Sequence, residues 1–215
     1  MAIIEGQVGP RIVSDGAETE VRLGRMGCVV TTDAHGRYTE NTTRGYVYSA
    51  STAVAGVAPG TALSTTPPLA LWNSPGSQVN LCVLWSQLGY VSGTIGAGTV
   101  VYAYVLQQTT TPTTGTELAT VCNNLSAARS RGRVFQGSTL ASTPLILYPA
   151  HTLQPTLATA PAAGGFAPAA VSKDEVAGGI VVPPGAVLVM QGVAAAGTAP
   201  LVLMGMAWEE FPTIQ

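Results

Sequence analysis

Few residues in this chain could do chemistry. Its two histidines, His35 and His151, are all that a histidine-based triad or metal site could draw on. Asp33-Ala34-His35 would set a carboxylate and an imidazole on one side of a short extended stretch, an arrangement that can orient a histidine to activate a nucleophile. With Gly36 the same residues read as a turn, and no GxSxG or comparable nucleophile elbow accompanies them. Gly93-Thr94-Ile95-Gly96-Ala97-Gly98 has the composition of a phosphate loop but the spacing of neither GxGxxG nor GxxxxGK[ST]. Lying between two strand-like runs, it reads as a hairpin connection. Cys28, Cys82 and Cys122 are far apart and in no CxxC or Cys/His spacing, so neither a disulfide framework nor a zinc site is expected, and the thiols read as buried and free. Asp174-Glu175 and Glu209-Glu210 are adjacent pairs, read as solvated carboxylates rather than a calcium cage or a glycosidase pair. No cofactor and no metal is expected, and an enzyme is the least favoured class.

The basic residues suggest binding instead. Arg129, Arg131 and Arg133 form the one basic cluster of the later chain, and in an extended conformation their side chains would face the same way. They read either as a grip on an acidic partner protein or as a solvated loop. Arg11, Arg22, Arg25, Arg37 and Arg44 are further partner-binding candidates. Nucleic acid is not an expected partner, because the net charge is -2 and the arginine cluster has no interleaved aromatics.

The elements that must position these residues follow from how charge is distributed. An ordinary soluble domain is about a quarter charged, whereas this chain of 215 residues is 9% charged. From Tyr46 to Thr116 there is no Asp, Glu, Lys, Arg or His, and 11 of the 20 charged residues lie in the first 45 positions. Residues 1–45 therefore read as an extended arm with the first strands, contacting a neighbour, and residues 46–215 as the body. The N-terminus shows no basic region followed by an apolar core, so no secretory signal is read and synthesis is expected in the cytoplasm.

Within the body, short apolar runs (Val79 to Trp85, Val100 to Leu106, Leu145 to Tyr148, Ile180 to Val182, Ala186 to Met190, Leu201 to Trp208) alternate with Gly/Pro turn clusters. This pattern predicts an all-β fold, a jelly roll or related antiparallel β-sandwich. Ala186 to Trp208 is long enough to raise the question of a membrane span, but Gln191, Gly192, Gly197 and Pro200 interrupt it, so it reads as two strands joined by AAAGTAP. Leu118, Val121, Leu125 and Ala128 have helical spacing, and a strand ending near Val121 followed by a loop fits them equally well. Trp72, Trp85 and Trp208 lie in or beside apolar runs and are expected in the core. Along Val101, Tyr102, Ala103, Tyr104 and Val105 both faces are apolar or aromatic, where a sandwich strand normally alternates with polar residues. These five residues are expected to form an interface with another copy of the chain, in a closed homo-oligomer.

From Arg22 the sequence RLGRMGCVVTTDAHGRYTENTTRGYVYSA resembles a pattern in virion structural proteins of tailed bacteriophages: a GxxVV strand, a DxHG turn with a following basic and aromatic residue, then RGxVY leading into small residues. The run VVPPGAVLVMQGVAAAGTAPLVLMGMAWEEFP resembles the last hairpin of such proteins. Within that class the chain is most similar to capsid decoration, or cement, proteins. The resemblance implies a non-enzymatic jelly-roll or related sandwich, often a trimer, on the capsid exterior. There it would bind the major capsid protein and bridge neighbouring capsomers, with no catalytic residue to carry over. A host-recognition fibre, spike or carbohydrate-binding module of a phage particle is the alternative, and a major capsid subunit a third possibility.

Overall fold

The structure, a computed structural model, describes residues 36–153 and 171–213. The chain separates into two units, Met1–Glu40 and Asn41–Gln215. Only residues 36–40 of the first are described, so most of the expected arm, including Arg11, Arg22, Arg25, Cys28, Asp33 and His35, lies outside the described residues. A short helix that the sequence did not announce, α1 (Thr39–Thr43), is followed by Gly45, whose φ of 78° suits the left-handed turn after a helix.

Among the described residues twelve strands follow: β1 (Val47–Ser51), β2 (Leu69–Asn73), β3 (Val79–Ile95), β4 (Gly98–Val105), β5 (Thr116–Leu118), β6 (Val121–Cys122), β7 (Gly132–Gln136), β8 (Leu145–Leu153), β9 (Val171–Asp174), β10 (Ile180–Val182), β11 (Val187–Val193) and β12 (Gly197–Pro212). The segment of helical spacing is β5, β6 and a loop, the strand alternative. Gly96-Ala97 joins β3 to β4, as the glycine-rich run suggests, and Ala194-Ala195-Ala196 joins β11 to β12. Glycine is required where that last connection enters β12, since a Cβ on Gly197 would fall 1.9 Å from the carbonyl oxygen of Thr94.

Among the described residues all the pairings are antiparallel, and they build two sheets. One has the order β10-β3-β12-β1-β6, with β9 also on β3, and the other has the order β5-β7-β2-β11-β4-β8. The pairings nest: β1 with β12, β2 with β11, β3 with β9 and β10, β4 with β8. Nested pairing distributed over two sheets is jelly-roll connectivity. Strands β5, β6 and β7 are an insertion between β4 and β8 that widens both sheets on the far side from β8. No helix among the described residues is long and apolar enough to cross a membrane.

Alternation along the strands produces two apolar layers. Leu69 and Leu71 of β2, Val100 and Tyr102 of β4, and Leu188 and Met190 of β11 face the space between the sheets, with Leu81, Met204 and Trp208 opposite. The intervening residues, Ala70 and Trp72, Val101, Ala103 and Val105, and Val187 and Val189, form a second cluster on the outer face of the second sheet. Here the expected interface is corrected. Val101, Ala103 and Val105 are buried by the chain itself, Tyr102 is buried between the sheets, and Tyr104 is half-buried. Three connections form the cover: β1–β2 brings Leu63, β7–β8 brings Leu140, and β4–β5 brings Gln108. Hydrogen bonds knit this cover together. The Trp72 indole donates to the Gln108 carbonyl at 2.9 Å, Gln191 Nε2 donates to the Ala62 carbonyl at 2.8 Å, and Leu140 N–H donates to the Thr65 carbonyl at 2.8 Å.

Candidate functional site

Among the described residues the cover stops at the edge of the second sheet. Strand β8 presents Leu145, Ile146, Leu147 and Tyr148 consecutively to solvent, with Leu145 62% and Ile146 53% exposed, whereas its later residues His151 and Leu153 are buried. Beside this ridge the two sheets part. Between β10 of one sheet and β4, β8 and β11 of the other lies an apolar cleft of about 230 Å³, lined by Leu106, Leu147, Val181, Val182, Pro183 and Leu188 among others. Leu106 and Val181 are themselves exposed. An uncovered apolar strand at a sheet edge, beside an apolar cleft, is the kind of surface that marks a contact with another protein.

Behind the ridge runs a buried polar chain. Tyr102 donates to Asp174 Oδ2 at 2.9 Å, which uses the phenol's one proton, so the 2.6 Å contact between Tyr102 and Ser86 is donated by Ser86. Ser86 then accepts from His151 Nε2 at 2.8 Å, and His151 Nδ1 accepts from Ser172 at 3.0 Å. The order of protons fits a neutral imidazole. Burial pushes the His151 pKa below its ordinary value, opposed by the charge of Asp174. Burial likewise raises the Tyr102 phenol, and it raises Tyr148, which stacks edge-on against Tyr102 at 5.2 Å. Lys173 and Glu175 flank Asp174 and pair with each other. A serine bonded to a histidine has the form of a nucleophile and its base, but Ser86 has no exposed surface and both its neighbours engage it inside the core. What the chain does is tie β3, β4, β8 and β9 together at the side where the two sheets meet.

The arginine cluster does not form as a single patch. Only Arg133 belongs to a strand, and its guanidinium lies over the rings of Trp72 and Phe135, 5.4 and 5.1 Å from their centroids, and pairs with Glu117 at 2.5 Å. That partner lowers the Glu117 pKa and raises that of Arg133. Arg131 turns away to donate to the Ser77 carbonyl at 2.8 Å. Arg129 is exposed and shares a surface hollow with Arg133 and Glu117. Arg37 and Arg44 are both exposed. Glu210 is a further correction, being buried rather than solvated. It accepts from Ser130 Oγ at 2.5 Å, Arg131 N–H at 2.8 Å and Gly132 N–H at 3.0 Å, fixing the loop that leads into β7. Asp174 is half-buried in the polar chain.

Trp72 and Trp208 are buried as expected, but Trp85 is half-exposed. A β-bulge explains this. Ala207 pairs with Trp85 and Trp208 with Val83, so Leu84 has no partner and the alternation of β3 changes phase. Leu81 and Val83 face inward before the bulge, Ser86 and Leu88 after it, and Trp85 is turned to the outer face, where Lys173 Nζ sits 4.8 Å from its ring centroid. Cys122 is buried and Cys82 half-buried, with burial and then Glu209 raising the Cys82 thiol. Among the described residues no three of His, Cys, Asp or Glu gather to hold a metal ion.

No family model, no curated protein and no solved structure matches this chain.

Proposed function

We propose that this protein is a non-enzymatic structural subunit that decorates and stabilises the head of a tailed phage, working as a homo-oligomer that bridges neighbouring capsomers. The observation that carries the reading is the run of four consecutive exposed apolar residues on β8, a surface suited to assembly. The resemblance of residues 22–50 and 181–212 to phage virion proteins supplies the setting, and jelly-roll connectivity suits it. In this reading residues 1–45, with Arg37 and Arg44 exposed at their end, contact the major capsid protein. Removing residues 1–25 should abolish co-sedimentation with purified shells while the oligomer stays folded. Truncated protein that still saturates the shells would refute the arm's role, and full-length protein missing from purified particles would refute the capsid setting.

A second reading, host recognition through a glycan, draws on Trp85. Its ring borders a shallow hollow with Ser49, Ser51 and Gln87, a combination of stacking surface and hydrogen-bonding groups suited to a sugar. Lys173 already lies over that ring, which weakens the reading. Binding on a glycan array that is lost in Trp85→Ala would promote it above the first.

A further inference from the structure

We infer that the ridge and cleft of β8 are the docking surface for a second copy of this chain, the two copies meeting about a two-fold axis with the ridge of each in the cleft of the other. The inference rests on the assembly reading only in requiring self-association, and it moves the interface from β4, where the sequence placed it, to the neighbouring strand.

Three features favour a second copy over an unrelated partner. First, the cleft offers nothing for a charged partner to pair with. No Asp, Glu, Lys or Arg lines the cleft, and none occurs anywhere from Val134 to Ser172. The partner that fits is apolar and uncharged, as this surface itself is, and two such surfaces meet without like-charge repulsion. Second, projection and recess are adjacent on one strand. Leu145 and Ile146 stand out while Leu147 forms a wall of the cleft, so a two-fold rotation offers ridge to cleft twice, the self-complementarity that an isologous contact requires. Third, the size is adequate. Leu106, Leu145, Ile146, Leu147, Tyr148 and Val181 together expose roughly 500 Å² of apolar surface, and with a rim such as Gln107, Thr143 and Pro183 the patch reaches roughly the 800 Å² per partner of a standard interface.

The contact is one of side chains rather than strand addition. Strand β8 has irregular register with β4 at two places, and Pro149 interrupts it, both features that blunt an edge against pairing with another strand. Packing of apolar side chains into the cleft is unaffected by either.

Light scattering coupled to size-exclusion chromatography of the full chain, at micromolar concentration, is the test. Wild type should have twice the chain mass of 21.9 kDa. Ile146→Glu and Ile146→Lys should each be monomeric, their dissociation constants raised by a factor of roughly 100 or more. An equimolar mixture of the two should stay monomeric, because each charge would enter the other copy's apolar cleft and not meet its opposite. Val181→Glu, on the other lip of the cleft, should also dissociate it. Val54→Asp and Leu125→Asp, at the strongly exposed apolar residues Val54 and Leu125 away from β8, should leave the dimer intact. Circular dichroism should show every variant folded, since each change is at an exposed position. A monomeric wild type, a trimer such as the phage resemblance implies, a dimer indifferent to both position 146 and Val181, or charge variants that recover the dimer on mixing would each overturn the inference. Shell binding, measured separately, keeps the two readings apart. A dimer that never binds shells refutes the capsid proposal alone, and variants that lose the dimer while wild type binds shells leave that proposal standing.

Discussion

Strands β4 and β8 are neighbours in one sheet, both apolar on two faces, and the chain treats them in opposite ways. Ala103 of β4 and Ile146 of β8 are direct register partners, yet the first is 0% and the second 53% exposed. The difference lies in what surrounds the strands. Strand β4 runs between β11 and β8, and its outer face lies beneath connecting loops, whereas β8 is the last strand of its sheet among the described residues and its first half is exposed. A strand apolar on both faces must be covered, but that pattern does not reveal whether the cover comes from its own chain or another.

The largest expected effect comes from placing the same charge on the two register partners. Ala103→Asp buries a carboxylate with no counter-charge in the outer cluster, a penalty of several kcal/mol against a net stability of about 5–15 kcal/mol. It should abolish the cooperative urea transition. Ile146→Asp, measured at dilutions where the chain is monomeric, should shift stability by less than about 0.5 kcal/mol. Equal losses at the two positions would mean that β8 is not the open strand described here. Next in size is the cover itself. Leu140→Ala, in the loop over β4, should cost about 2–4 kcal/mol, as for a buried leucine, while Leu145→Ala should cost almost nothing. A small loss at Leu140 would show that the loops only drape over the sheet.

Where pattern is periodic, the sequence declares the fold. Alternation in β2, β4 and β11, the Gly96-Ala97 hairpin and the Ala194–Ala196 connection are all visible as apolar runs and small-residue turns. The covering loops are not, because Ala62, Thr65 and Gln108 act through backbone and amide hydrogen bonds that leave no hydrophobic signature. Trp85 is misplaced by strict alternation for a similar reason, since one unpaired residue, Leu84, reverses the side chains that follow it as far as Tyr90. Arg129, Arg131 and Arg133 face together only in an extended strand, and β7 begins at Gly132. One signal for the open edge was present in the sequence. Pro144 and Pro149 bracket Leu145–Tyr148, and a proline within a strand-like run marks it as an edge.

Acid should distinguish the two halves of β8. Its second half is held by His151, which is neutral in the folded chain because burial lowers its pKa, while in the unfolded chain it takes up a proton near the ordinary value of about 6.5. Below that value the unfolded state binds more protons than the folded one. Stability is therefore full above the unfolded pKa and declines as pH falls toward the folded pKa, by no more than about 1.4 kcal/mol per pH unit. Denaturant midpoints for wild type and His151→Gln, compared from pH 8 to pH 5, test this: the His151 component should vanish in the variant. A decline of equal size in both would place the responsible group elsewhere.

The smallest expected effect separates two ways in which Arg133 could serve the cover over the outer face of the second sheet, on β2 and β7. The pair with Glu117 is short, but both side chains are more than a third exposed, so water and salt screen it, and Glu117→Gln should cost less than about 0.5 kcal/mol. The guanidinium also lies on the rings of Trp72 and Phe135, and its stem shields them from water. If shielding is the main contribution, Arg133→Ala should cost more than Glu117→Gln, Arg133→Met should recover most of the difference, and neither loss should shrink greatly in molar salt. If charge is the main contribution, Arg133→Met should match Arg133→Ala and both losses should fade with salt. The first outcome would make Arg133 part of the cover over the outer cluster, continued across β2 and β7, and the second would leave that cover to the loops and their leucines.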